Sequence, residues 1–226
     1  MESTFKMLSL GYGAIGWLRN LATALLFTTG VAQADSITIA ALGDSLTAGY
    51  GLETADGFVP QMQAWLDAQG AEVVLINAGV SGDTTAGGLS RTAWTLTPEV
   101  DAMIVALGGN DYLRGIDPAV SKANLDGILQ IAAENDVPVM LIGQSVGANY
   151  GVEYKQQFDA MYGELAMQYD VPLVASWFAG LNAAAGMTEG ISEFLQADNL
   201  HPNAEGVRVI VDAMGPEIAR FADTVR

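Results

Sequence analysis

A single histidine serves the whole chain. His201 is the one imidazole among 226 residues, and there is no cysteine. Thiol catalysis, disulfides and cysteine metal sites are excluded, as is a zinc site built from several imidazoles. Any proton transfer that needs an imidazole must use His201. It stands in the run Asp198-Asn199-Leu200-His201-Pro202-Asn203, three residues after a carboxylate. That spacing can place both side chains on one side of a turn. Asp198 then holds one ring nitrogen and leaves the other as a base. The same run also reads as a capped loop in which Asp198 binds backbone amides and His201 lies on the surface.

A base needs a nucleophile, and two serines compete for that role. Ser45 stands in Gly43-Asp44-Ser45-Leu46, directly after an apolar run. A serine at a strand-to-helix turn is exposed, and backbone amides at the helix start suit a developing oxyanion. In isolation the string is also an ordinary turn. Ser145 stands in Gly143-Gln144-Ser145-Val146-Gly147, a literal G-x-S-x-G. That motif works as a nucleophile elbow only when it leads into a helix. Here it leads into Ala148-Asn149-Tyr150-Gly151, which reads as a loop, so Ser45 is preferred. Oxyanion donors are available in Gly108-Gly109-Asn110-Asp111, through the Asn110 amide, and in Ser81-Gly82-Asp83, through the Gly82 N–H. Each of these runs also reads as a simple turn.

Other groups invite weaker readings. Asp44, Asp83 and Asp111 suggest a carboxylate metal site, but each adjoins a motif glycine or asparagine, where loop bracing is the simpler role. Arg91 and Arg114 could hold a substrate phosphate or form bracing ion pairs, and bracing is preferred. Met62, Trp65 and Leu66, and later Phe158, Met161 and Tyr162, fall at helical spacing and read as core.

These groups must be positioned by the elements around them. Short apolar runs at Ile37–Leu42, Val73–Asn77, Ala102–Leu107, Val139–Ile142 and Leu173–Ala175 predict five buried strands. Phe58–Ala68, Thr85–Leu96, Ala119–Asn135, Glu153–Tyr169 and Ala204–Ala222 predict helices, the last kinked or broken at Gly215-Pro216. Asp117-Pro118 and Asn203 supply helix starts, and Gly70 a helix end. Strand–helix alternation implies an α/β fold: a parallel sheet between two helical layers. Functional groups in such sheets collect at the carboxyl ends of strands. Ser45, Gly82 and Asn110 follow the first three strands, and Asp198 and His201 precede the last helix.

Taken together, the runs resemble the SGNH hydrolase family, also called GDSL esterases. Gly43-Asp44-Ser45-Leu46 is similar to its first motif and Asn77-Ala78-Gly79-Val80-Ser81-Gly82-Asp83-Thr84 to its second. Gly108-Gly109-Asn110-Asp111 is similar to the third, and Asp198-x-x-His201-Pro202-Asn203 to the last. The order is the family's, and the motifs span most of the chain after residue 34. Ser45–Tyr50, Asn110–Gly115 and Ala148–Gly151 resemble the bacterial periplasmic thioesterase–lysophospholipase–arylesterase group. Gly147 departs from it, since proline often precedes Ala-Asn-Tyr-Gly there, which puts acyl-chain preference in question. The resemblance implies a three-layer α/β/α, flavodoxin-like fold with a five-stranded parallel sheet. It implies Ser45 as nucleophile, an Asp198–His201 pair, and an oxyanion hole from the Ser45 and Gly82 N–H groups and the Asn110 side chain. No cofactor or metal is implied. The expected substrates are aryl or short-to-medium acyl esters, with lysophospholipids and acyl thioesters in the same range. A carbohydrate O-deacetylase on the same fold, or a non-catalytic ligand-binding protein, is the alternative. The complete set of five site residues speaks against the latter.

The amino terminus carries an address. Lys6 and Arg19 are the only basic residues before position 91, and Leu21–Val31 is apolar and ends at Ala32-Gln33-Ala34. A basic region, a short apolar region and a small-x-small site in that order form an export signal peptide. Cleavage is expected after Ala34, leaving residues 35–226 as one hydrolase domain, periplasmic or secreted. The stretch ahead of Arg19 is long and glycine-rich, so Met7 is an alternative start to Met1. The apolar run falls short of the ~20 residues a membrane span needs, so no stable span is expected after processing. The formal charge of −17 repels nucleic-acid phosphates and anionic surfaces, so no nucleic-acid partner is expected. The working expectation is a monomer acting on a small ester or lipid.

Overall fold

The computed structural model describes residues 36–186 and 190–225. The expected signal peptide and its cleavage site lie outside the described residues. Five strands, β1 (Ile37–Gly43), β2 (Val73–Gly79), β3 (Ala102–Ala106), β4 (Val139–Ile142) and β5 (Leu173–Val174), form one sheet in the order β2-β1-β3-β4-β5. Every pairing is parallel, with Ile39 opposite both Leu75 and Ala102, Met103 opposite Val139, and Leu141 opposite Leu173. All five predicted strands form within two residues of their expected ends.

Alternation along the strands sends side chains to both faces of the sheet. Ile37, Ile39, Ala41, Ile104 and Ile142 pack on one face with Phe58, Met62 and Leu66 of α2 (Phe58–Ala68). Val207, Ile210, Met214 and Ile218 of the last helix join them. Leu42, Met103, Val105 and Leu141 pack on the other face with Leu125, Ile128 and Leu129 of α5 (Pro118–Glu134). Phe158, Met161 and Leu165 of α6 (Val152–Tyr169) complete that layer. Burial on both faces is why these strands read as near-continuous apolar runs. α3 (Thr85–Thr95) lies against α5, and α7 (Ala179–Ala185) against the last helix, which completes the three-layer arrangement.

Helix starts follow the expected chemistry. The Asp117 carboxylate accepts the Ala119 N–H at 2.8 Å. Asn203 Oδ1 accepts the Gly206 N–H at 2.9 Å, opening α8 (Ala204–Val225). Gly70 takes φ +73° after α2. Of the kink or break expected at Gly215-Pro216, the break does not occur: α8 continues through both residues. Gly215 lies against the Trp65 ring, where a Cβ would approach ring carbons to 2.6–2.7 Å. The stripe Ile210, Val211, Met214, Ile218 and Phe221 holds both halves on the sheet. That burial offsets the hydrogen bond proline removes. Three short helices escape the periodicity, α1 (Ser45–Ala48), α4 (Gly109–Leu113) and α7, because four to seven residues carry too little helical period.

Candidate active site

The ends of the first three strands each deliver one part of the site. β1 ends at Gly43, where a side chain would run into Thr47. Asp44 follows as the cap of α1, its carboxylate accepting the Leu46 N–H at 3.0 Å. Ser45 is therefore the first residue of a helix, where an N–H has no carbonyl partner within the helix. β2 ends at Gly79, where any side chain would collide with the Ala48 backbone, so α1 can lie close to this strand. Three residues on, Gly82 takes φ +81°. Arg114 donates to the Gly82 carbonyl at 2.7 Å. Arg91 pairs with Asp83 and donates to the carbonyls of Ala78 and Gly43, which ties the ends of β1 and β2 together. Arg91 braces through the expected ion pair, and Arg114 through a hydrogen bond to a backbone carbonyl.

β3 leads through Gly108 into α4. Gly108 has φ +124°, and a side chain there would strike the Tyr162 hydroxyl, which donates to the Leu107 carbonyl at 2.9 Å. The turn presents Asn110, whose Nδ2 donates to Asp44 Oδ2 at 3.3 Å. Asp44 is 2% exposed. Burial pushes its carboxyl up to about 6, against the opposing hydrogen bonds from Leu46 and Asn110. Asp111 is fully buried and accepts from the Thr85 N–H, the Thr85 hydroxyl and the Ser121 hydroxyl. Asp83 and Asp111 thus brace loops, and Asp44 holds α1 to Asn110. Among the described residues no cluster of three or more His, Cys, Asp or Glu could hold a metal ion.

The turn before α8 brings acid and base together. Asp198 Oδ1 accepts the N–H groups of Leu200 and His201 at 2.9 and 3.0 Å, and Oδ2 meets His201 Nδ1 at 2.7 Å. One carboxylate oxygen thus caps the turn and the other meets the imidazole, which is largely buried against Ser45 and does not lie on the surface. The hydrogen bond from the His201 ring, with the two backbone N–H groups, holds the Asp198 carboxyl down to about 2. The other ring nitrogen, Nε2, lies 2.9 Å from Ser45 Oγ. Asn199 occupies the left-handed region at φ +55°, and Gln196 donates its N–H to the His201 carbonyl at 2.8 Å. The Tyr50 ring lies 4.7 Å from the imidazole, centre to centre.

Two hollows meet at Ser45, Asn110, Leu113, Leu200 and His201. One is lined also by Tyr50, Ser81 and Gly82. The other, of about 170 Å³, runs past Leu46, Tyr112, Gln144, Ser145, Val146 and Phe178. The five expected site residues thus converge. Ser145 lines the second hollow, but His201 bonds Ser45, and residues 143–147 form no helix. Gly147 sits where a Cβ would come within 2.9 Å of the Tyr112 hydroxyl. Sequence reasoning assigned no role to Tyr50, Gln144 or Phe178. No periodicity marks them, and only the folded chain places them here.

Comparison with known proteins agrees with this geometry. The model of the GDSL-like lipase/acylhydrolase family matches residues 41–209, a span that holds all five residues. Esterase TesA of Pseudomonas aeruginosa is 39% identical over 171 residues, covering 75% of this chain and 82% of that protein. Thioesterase 1/protease 1/lysophospholipase L1 of Escherichia coli K12 is 32% identical over 195 residues, covering 86% and 88%. The crystal structure of AlinE4, an SGNH-hydrolase family esterase, is 38% identical with a TM-score of 0.66, covering 82% of this chain and 96% of that one. A serine bound to an imidazole at the first strand end, the matched family span and these likenesses lead to one assignment: the chain belongs to the GDSL-like lipase/acylhydrolase family.

Proposed function

We propose that this chain is a carboxylic-ester hydrolase working through an acyl-enzyme on Ser45, with His201 as base and Asp198 as the acid that orients it. The observation that carries the reading is the unbroken line from Asp198 Oδ2 to His201 Nδ1 at 2.7 Å and from His201 Nε2 to Ser45 Oγ at 2.9 Å. Asp198 fixes the tautomer with hydrogen on Nδ1, so Nε2 presents a lone pair to the serine hydroxyl.

Ser45 Oγ attacks the ester carbonyl while Nε2 takes its proton. The carbonyl oxygen becomes an oxyanion, facing the Ser45 and Gly82 N–H groups and the Asn110 amide. His201 returns the proton to the leaving alcohol, and the acyl group stays on Ser45. Water then attacks with His201 again as base, and the acid departs. Asp44 supports this by holding the Asn110 amide from beneath. Aryl and short-to-medium acyl esters, lysophospholipids and acyl thioesters are the substrate range. Relatives named as an esterase, a thioesterase/lysophospholipase and an arylesterase support that range. Residues 1–34 act as a cleaved export signal, and the domain from residue 35 works in the periplasm or outside the cell. No described helix is long and apolar enough to cross a membrane.

The test is hydrolysis of a p-nitrophenyl acyl ester series by the wild-type, Ser45→Ala and Ser145→Ala proteins. Ser45→Ala is expected to lose about 10⁴-fold or more in turnover, as removal of a triad nucleophile does, while Ser145→Ala stays active. Activity lost in Ser145→Ala and kept in Ser45→Ala, or no hydrolysis by folded wild type, would overturn the proposal.

A further inference from the structure

The hollow that leads away from Ser45 is not uniformly apolar. Leu46, Tyr112, Val146 and Phe178 line it, and so does Gln144, which follows the end of β4. Gln144 is 6% exposed, and its Nε2 is shut off from solvent with no hydrogen-bond partner. The nearby Val146 carbonyl already accepts from Lys155. The Gly143 carbonyl accepts the Trp177 N–H. A buried amide without a partner is costly, and native chains seldom keep one idle. Leucine or methionine would fill a similar volume at no such cost.

The reaction indicates which part of the substrate meets this amide. The alcohol leaves first, carrying the proton from Nε2, and needs a path to solvent. His201 offers one on its side, beside the exposed Tyr50 and Leu200. The acyl group remains on Ser45 until water releases it, which suits the hollow whose lining includes the buried residues Gln144 and Val146. Resting on the ester-hydrolase reading above, we infer that Gln144 is a specificity-determining residue. Its side-chain amide donates to an oxygen carried on the acyl group, so the enzyme favours oxygen-bearing acyl groups over plain alkyl ones. Rotation about the last side-chain bond exchanges Nε2 and Oε1, so the amide can turn its donor to the hollow without moving the backbone. An alkyl chain lying there gives the turned N–H no acceptor, whereas an ether or hydroxyl oxygen supplies one. Sites built to bond a substrate oxygen discriminate more strongly than apolar pockets do.

Two isosteric pairs of p-nitrophenyl esters test this: methoxyacetate against butanoate, and 3-methoxypropanoate against pentanoate. Each kcat/KM is divided by the alkaline hydrolysis rate of the same ester, which removes the electronic effect of the oxygen. Wild type is expected to prefer the ether member of at least one pair by about tenfold. Gln144→Leu and Gln144→Met should each abolish that preference, with folding checked by circular dichroism. The ratio is the quantity read, so a general loss of activity cancels. No ether preference in wild type, or one that survives both substitutions, overturns the inference while the ester reading stands. If wild type hydrolyses none of the four esters, the ester reading fails and this inference with it.

Discussion

Replacing Asp198 by asparagine tests the site at its most informative point. Asp198 does two things with two oxygens. Oδ1 closes the turn by accepting the Leu200 and His201 N–H groups, and Oδ2 holds His201 Nδ1. In Asp198→Asn the new side chain keeps the first task through its remaining oxygen, so the turn and the position of His201 survive. At the second it presents an NH2 group where the carboxylate oxygen stood. Nδ1 must then accept, which moves the ring hydrogen to Nε2, facing Ser45 Oγ. The imidazole becomes a donor where a base is needed, and the positive ring formed during attack loses its counter-charge. Where a triad acid is buried, this change costs about 10⁴-fold in turnover. The Asp198 side chain is 40% exposed, so water can partly replace the lost carboxylate. We therefore expect about 10³-fold, in kcat with little change in KM. The assay is steady-state hydrolysis of p-nitrophenyl butanoate, with thermal melting to show that the fold is kept. A folded Asp198→Asn protein losing less than about tenfold would refute the assignment of Asp198 as orienting acid.

Three further outcomes follow from the same geometry. Asn110→Ala removes one oxyanion donor and should lower turnover about 10²–10³-fold with KM little changed; a loss under about tenfold would remove Asn110 from the oxyanion hole. Asp44 has a folded value of about 6, raised by burial from 3.8. Its contribution to stability is therefore whole below pH 3.8 and is lost as pH rises through about 6, which makes the ionised carboxylate cost about 3 kcal/mol at neutral pH. The amide of an Asp44→Asn protein does not titrate, so urea unfolding at about pH 4 and about pH 7.5 should show that variant gaining stability relative to wild type at the higher pH. A difference that does not change with pH would contradict this. Mature protein from the native host's periplasm is expected to begin at Asp35, and N-terminal sequencing that finds Met1 or Met7 there would rule out the cleaved signal.

Much of this protein is decided by local sequence. Buried parallel strands are apolar on both faces, so all five were legible as short apolar runs. The caps Asp117 and Asn203 act across two or three residues, within the reach of local reading. The serine, the glycine turns, Asn110 and the Asp198–His201 pair were legible because each belongs to a short contiguous run at a strand or helix end. What the runs could not decide was their own meaning, since each also makes an ordinary turn. Folding closes 156 residues of separation between Ser45 and His201 to a single hydrogen bond. Parallel strand order does this by bringing their carboxyl ends to one edge of the sheet. The unbroken α8 is equally a tertiary result. Local propensity calls for a break at Gly215-Pro216, but Gly215 against Trp65 and the buried stripe on both sides keep the helix continuous through it. Tyr50 against the imidazole and the unpartnered Gln144 amide depend only on which distant side chains surround them. Sequence determines which groups can do chemistry; packing determines which of them meet, because burial and hydrogen-bond partners are properties of neighbours far along the chain.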